Sequence, residues 1–312
     1  MFIKRGAFLC FLVAVLLFVG CQEGKDTAGQ EGALRIRDMM GREVVLSEPA
    51  TRVVALSPSD CEILYAIGGE DTLVGRGAYC DYPAKVEDIP QVQSGYDMNL
   101  EEIIALEHQV VFMTIMAQTQ EQVEALERAG IRVITLNAQD IQGVYEAISI
   151  IGQTVGCQEG ADALISEMEA GFASLSVEAK ARAEAGNGEK TVYFETSPLE
   201  WGLWTAGTGT FLDEISTMLG LTNLFKDVEG WAAISEEQVL ARDPAYIVSI
   251  GGMEPDGPGS ISEILHREAW ADVEAIKSQQ VFCMDSDMLT RPGPRLVQGA
   301  QNLFALVYGA LE

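Results

Sequence analysis

Hydrophobic positions in this chain fall into two kinds of stretch. One is short, continuous and β-branched, as in RVVAL at 52–56, the pattern of a strand buried on both faces. The other returns every three or four residues, the pattern of a helix with one apolar face. The two kinds alternate. After 52–56, Ser57 is placed to cap a helix, Pro58 sits in its first turn and Asp60 completes a capping box. Ile63, Leu64 and Ile67 share one face of that helix, and Gly68-Gly69 stops it. Strand-like runs follow at 72–74, 110–113 and 132–136, with helical stretches at 100–106 and 119–129 between them. Beyond 142 no strand is predicted until about 185. Val144, Ile148 and Ile151, then Ala163, Leu164, Met168 and Phe172, predict a short helix followed by a long one, with Gly156 and Gly160 as interruptions. A loop at 185–188 (AGNG) precedes strands at 191–195, 246–250 and 281–284. Such alternation folds as a parallel sheet covered by helices on both faces. The predicted class is α/β: two Rossmann-like lobes, 34–141 and 187–312, joined by linking helices over 142–186.

An internal repeat supports two equivalent lobes. NLEEIIALEHQVVFM (99–113) aligns without gaps on SEEQVLARDPAYIVS (235–249): a capping residue, a Glu at the second helical position, a turn, then a strand. Glu62-Ile63 with Ile67-Gly68 repeats as Glu214-Ile215 with Leu219-Gly220. Coincidence among common helix starts is the plainer alternative, but two matches in the same order favour duplication. Two lobes joined by helices leave a cleft between them, and clefts are where ligands bind.

The first 33 positions stand apart. Lys4 and Arg5 precede an apolar run at 6–19 that is short for a bilayer span, so 1–20 reads as a secretory signal. It ends Leu17-Phe18-Val19-Gly20-Cys21, as bacterial lipoprotein signals do, which makes Cys21 a lipidated mature N-terminus and 21–33 a polar tether. The alternative is an ordinary signal with a chance cysteine. Charge narrows the partners. The 47 acidic and 20 basic residues give −27, which disfavours nucleic acid and adsorption of the body to an anionic membrane. Beyond Cys10 and Cys21, the chain holds Cys61, Cys80, Cys157 and Cys283. Their wide spacing rules against a metal knuckle and allows one or two disulfides, with the pairing left open.

Catalytic chemistry is sparse. The two histidines are His108, in a helix-to-strand turn, and His266, and no H-E-x-x-H, G-x-S-x-G or Walker A spacing occurs. No catalytic residue, cofactor or bare metal site is therefore expected. Two His also argue against a naked zinc or manganese ion, so any bound metal should arrive in its own chelator. Aromatics gather instead in predicted loops: Tyr79, Tyr82, Tyr96, Trp201, Trp204 and Trp231. Their broad faces and polar tips suit a large planar ligand. Each ring has the alternative of plugging its own lobe, evenly weighted for Tyr82 and Trp201; Trp270 sits in a helical pattern and reads as core. Asp287 and Arg291 follow the last strand, at the edge where parallel sheets bind ligands, and offer an acceptor and a fork of donors; a salt bridge ordering the loop is the alternative. Arg76 also falls where it can point into the cleft, and Arg295 suits a structural role at a helix start.

From about Arg52 to the C-terminus the chain resembles the substrate-binding proteins of ABC importers for vitamin B12, haem and ferric siderophores, nearest to the B12-binding members. The resemblance rests on RVVALSPS (52–59), YCDYP (79–83), MNLE (98–101), Trp231 with SEEQVLARDP (235–244), and Asp287 with Arg291 and Arg295. It implies a helical-backbone periplasmic binding protein fold. It also implies ligand contacts at Tyr79, Trp231, Asp287 and Arg291, with Tyr96 beside a further aromatic contact and Trp204 where the family has another aromatic. The family's aromatic just after the third strand has no counterpart near 114–116. Glu101 and Glu237 match acids that dock on the importer's permease dimer, which works with its ATPase. The implied protein is a monomer that carries a corrinoid, or in the alternative haem or a ferric siderophore, and is held on the outer face of the cytoplasmic membrane only by its lipid.

Overall fold

A computed structural model describes residues 33–95, 97–115, 119–185, 190–251, 254 and 256–309. The signal, the tether and Cys21 lie outside them, as does Tyr96.

The chain opens with an antiparallel hairpin, β1 (Leu34–Arg37) and β2 (Glu43–Leu46), which the sequence reading passed over. Its signal is the alternation that buries Ile36, Val44 and Leu46. Buried Asp38 fastens its turn: the carboxylate accepts from the backbone N–H groups of Met40, Arg42 and Thr135 and from the Arg42 guanidinium.

The first lobe then runs β3 (Val53–Ala55), α1 (Pro58–Ala66), β4 (Leu73–Gly77), β5 (Gln91–Val92), α2 (Leu100–Ala105), β6 (Val110–Thr114), α3 (Gln120–Arg128) and β7 (Arg132–Leu136). Its sheet has the order β5-β4-β3-β6-β7 and every pairing is parallel. Two helices follow, α4 (Ile141–Val155) and α5 (Gln158–Ala185). The second lobe runs β8 (Lys190–Glu195), β9 (Trp204–Ala206), α6 (Phe211–Met218), β10 (Leu221–Asn223), β11 (Trp231–Ala233), α7 (Glu236–Arg242), β12 (Tyr246–Ile250), α8 (Ile261–Leu265), α9 (Glu274–Lys277), β13 (Val281–Met284), α10 (Ser286–Thr290) and α11 (Leu296–Tyr308). Its parallel sheet has the order β10-β8-β12-β13. Matching β3 with β8, β4 with β10, β6 with β12 and β7 with β13 superposes the two orders, so the repeat found in sequence is a repeat of topology.

The glycines between the linking helices divide their work. Gly156 takes a left-handed conformation (φ 75°) and ends α4. Gly160 lies inside α5, where a Cβ would sit 2.2 Å from the Ile67 carbonyl oxygen, so α1 and α5 approach closely there. Along α5, buried Ala161, Met168, Phe172, Leu175 and Ala179 form one stripe. α5 packs on the other linking helix, α4, and on α6 and α11 of the second lobe, and meets the first lobe at Ile67.

One local expectation fails. Ser57 does occupy the N-cap of α1, but its side chain does not cap the helix. Its hydroxyl lies 2.9 Å from that of Ser59, and Asp60 turns inward to 2 % exposure. The capping box forms instead at α3 and α7, through Thr119 with Gln122 and Ser235 with Gln238.

Candidate functional site

The carboxyl ends of both sheets face a common cleft. On the first lobe, β3 leads through Ser57 into α1, β6 ends at Thr114, and β7 leads through Asn137 and Gln139 toward α4. These residues, with Asp60, Ala138 and Ala147, meet Thr290, Arg291 and Pro292 of the second lobe around a cavity of about 180 Å³. On the second lobe, the loops after β8 and β12 frame an open cavity of about 400 Å³ with Trp201, Glu195, Ser249, Gly251 and Glu254 on its wall.

The predicted pair Asp287–Arg291 comes together on α10 and its end, Nη2 lying 2.8 Å from the Asp287 carboxylate. Arg291 also reaches the first lobe. It donates to Asp81 at 2.6 and 3.3 Å and to Glu62 at 3.3 Å. Arg295, at the start of α11, donates to both oxygens of Glu62 (2.9 and 2.6 Å) and lies 4.3 Å over the Tyr82 ring. Glu62 is 2 % exposed and Arg291 14 %, so this is a nearly buried bridge between lobes, and its charges interact strongly. The Arg291 hydrogen bond holds the Asp81 carboxyl below its ordinary range. Sequence reasoning missed Glu62 and Asp81 as partners, although both lie inside quoted motifs: one repeats at Glu214, the other follows Tyr79-Cys80. Arg76 corrects an expectation. Its guanidinium donates to the carbonyls of Cys80, Ile89 and Glu87, bracing the loop after β4 rather than entering the cleft.

The aromatics divide. Tyr79, after β4, is 76 % exposed, and Trp201 is 72 % exposed. Trp204 and Trp231 lie on the paired strands β9 and β11, opposite Ala233 and Ala206. Trp204 is largely open, whereas Trp231 is half-buried with its ring 5.3 Å edge-on to Phe211. Trp270 is fully buried, and its indole N–H donates to Glu236 at 2.6 Å.

Asp60 was not foreseen here. Burial pushes its carboxyl up to about 7, with only the Ser59 hydroxyl, at 3.4 Å, opposing the shift. Oδ2 has no partner among the described residues. His108 lies buried in the turn before β6, and burial pushes its imidazole down to about 4, so it is neutral. No group of three or more His, Cys, Asp or Glu that could hold a metal ion occurs among the described residues.

Glu101 and Glu237 occupy the second positions of α2 and α7, both exposed, one per lobe. Asn99 and Ser235 cap these helices. Each precedes a strand of its lobe's parallel sheet, β6 after α2 and β12 after α7. The Glu237 carboxyl is held down by its own backbone N–H and the Ser235 hydroxyl.

Residues 53–288 match the sequence model of the periplasmic binding proteins. The chain belongs to this family. This periplasmic binding protein is 28% identical to the uncharacterized ABC transporter substrate-binding lipoprotein YvrC of Bacillus subtilis, over 98% of this chain and 97% of that one. It is 32% identical to the vitamin B12-binding protein of Salmonella paratyphi A, over 81% of this chain and 89% of that one. Among solved structures it resembles that of a possible iron-binding (periplasmic solute-binding) protein from Staphylococcus epidermidis: TM-score 0.71 and 27% identity, covering 84% of this chain and all of that one. These matches bear out the resemblance drawn from the motifs and the two-lobed α/β class.

Proposed function

We propose that this periplasmic binding protein is exported, anchored through Cys21, and captures a corrinoid in the cleft for delivery to an ABC importer. The observation that carries the ligand class is the pairing of exposed rings with engaged guanidiniums. Tyr79, Trp201 and Trp204 offer open aromatic faces. The three arginines expected at the cleft are occupied, Arg76 by carbonyls and Arg291 and Arg295 by acids, and so is Arg267, which pairs with Glu195 on the wall of the second cavity. A ligand with a carboxylate rim would find no idle cation among them, and would meet Asp60, Asp287 and Glu254. A corrinoid, whose rim carries uncharged amides, suits such a wall: its face stacks on the rings, and its amides donate to Asp287 and bond to the polar groups at the start of α1. The similarity to a vitamin B12-binding protein supports this reading, and YvrC's name supports the anchor and the importer. A ferric chelate is the second reading. The exposed phenol of Tyr79 is a group that binds ferric iron, and a possible iron-binding protein shares the fold. Release goes to a permease dimer with its ATPase, on which Glu101 and Glu237 dock.

Titration of the mature protein with cyanocobalamin, haemin and a ferric catecholate, followed by Trp fluorescence, tests the ligand. Cyanocobalamin is expected to quench at the lowest concentration; no quenching by any of the three removes the binding role. Glu101→Lys with Glu237→Lys is expected to spare affinity and abolish uptake. Undiminished uptake in that double variant refutes the docking role.

A further inference from the structure

The four cysteines of the folded body are not equally placed. Cys157 lies between α4 and α5 with its sulfur 3.7 Å from the Gly68 carbonyl, and Cys283 lies in β13 of the other lobe. Cys61, on α1, and Cys80, after β4, are both fully buried. Their sulfurs approach one carbonyl oxygen, that of Ala55, at 3.9 and 3.8 Å. Cys80 hydrogen-bonds the Cys61 thiol, and this contact with burial pushes that thiol well above its ordinary range.

The duplicated lobe shows what this position does. Aligned on Glu62 with Glu214 and Gly68 with Gly220, Cys61 falls opposite Asp213. The Asp213 carboxylate accepts from the Asn223 amide at 2.9 Å, and Asn223 ends β10, the counterpart of β4. Each lobe thus ties this helix to the region of the same flanking strand through one pair of side chains. The second lobe uses a hydrogen bond; the first brings two sulfurs together.

We propose that Cys61 and Cys80 are joined by a disulfide in the exported protein. The proposal rests on the reading that the chain is exported, since that compartment allows disulfides to persist. The oxidant is a disulfide-bearing thiol oxidoreductase, acting before the pair is buried, because a buried, protonated thiol is inert. One cysteine, as thiolate, attacks the oxidant's disulfide, forming a mixed disulfide and releasing one oxidant thiol. The second cysteine displaces the oxidant's other sulfur. The Cys61–Cys80 bond forms, and the oxidant leaves as a dithiol with both protons and both electrons. The staple closes a loop of about 20 residues. It fixes Cys80 between Tyr79, whose ring is exposed, and Asp81, which holds Arg291 of the other lobe.

The test uses the protein exported under its own leader, denatured in an alkylating reagent without reductant and mapped by mass spectrometry. The expected result is a Cys61–Cys80 cross-linked peptide with Cys157 and Cys283 alkylated. The same protein, reduced, denatured and refolded in a glutathione redox buffer, should regain the link and melt about 5 °C higher than its reduced form. Alkylation of both Cys61 and Cys80 after refolding, or in exported chains that have lost their leader, overturns the proposal. A chain that keeps its leader in cells yet forms the link on refolding supports the disulfide and overturns export instead.

Discussion

Helices α1 and α6 carry the same internal Glu-Ile pair and the same glycine stop, yet their acids meet different partners. Glu62 of α1 grips Arg291 and Arg295 at the start of α11. Glu214 of α6 accepts the backbone N–H of Ile141 at 2.7 Å, at the start of α4. In both lobes the duplicated acid seizes the beginning of a helix outside its own lobe, once through ion pairs and once through a backbone N–H of a terminus that Asp140 also caps. The next difference is sharper. Asp60 falls opposite Leu212, and both are buried, at 2 % and 0 %. A leucine there simply adds to the core; a carboxyl there loses its hydration and keeps one oxygen without a partner. The second lobe shows that the helix folds without that carboxyl, and in the first lobe Asp60 lines the cavity between lobes.

Removing the acid should separate the copies most. Glu62→Ala leaves two mostly buried guanidiniums short of a partner and is expected to cost about 3–5 kcal/mol in urea unfolding. Glu214→Ala, which frees only a helix-terminal N–H, should cost about 1 kcal/mol. Equal losses would mean that the ion bridge adds nothing to the shared grip.

Asp60→Asn sharpens the second difference. The folded carboxyl titrates near 7 and the unfolded one near 3.8, so the folded state holds the proton longer. Below pH of about 4 both states are protonated and ionisation costs nothing; as pH rises towards about 7 the wild type loses about 1.4 kcal/mol per unit, and above that the loss is constant. The variant should lack this slope, gaining on the wild type steadily between those limits in melts at matched pH. Parallel pH profiles would sink the assignment. The smallest contrast lies in the caps. Ser235→Ala breaks a two-way capping box and Asn99→Ala a single bond at 3.3 Å. Each should cost about 1 kcal/mol, the serine a few tenths more.

The strands and the paired linking helices were legible because burial on both faces imposes unbroken apolar runs, and a long helix imposes its own period. Most of the elements given bounds in sequence were found within a residue or two, whereas the short β5, β9, β10, β11, α8 and α9 were not predicted. The β1–β2 hairpin escaped because its alternation is only four residues long on each strand. For the cleft, residue type pointed to Tyr79, Trp204, Asp287 and Arg291, of which Arg291 lines the cavity beside α1, but not to the partners that engage them. That Arg291 spends its donors on Asp81 and Glu62 depends on side chains more than 200 positions away in sequence, and no local pattern encodes such a meeting. Asp60 was misassigned for a related reason. Spacing from Ser57 predicts a cap, whereas the choice between cap and interior is made by the tertiary surroundings of α1.

The 28 residues of α5 form a rod of about 42 Å that meets the first lobe near its start and packs on α6 and α11 of the second. A rod of this kind resists bending and stores little of any strain put on it. Occupancy would therefore change the outline of the molecule little, and little of the binding energy would be diverted into rearranging it. The cargo would then be held by contact alone, and unloading would fall to whatever machine pries the two halves apart.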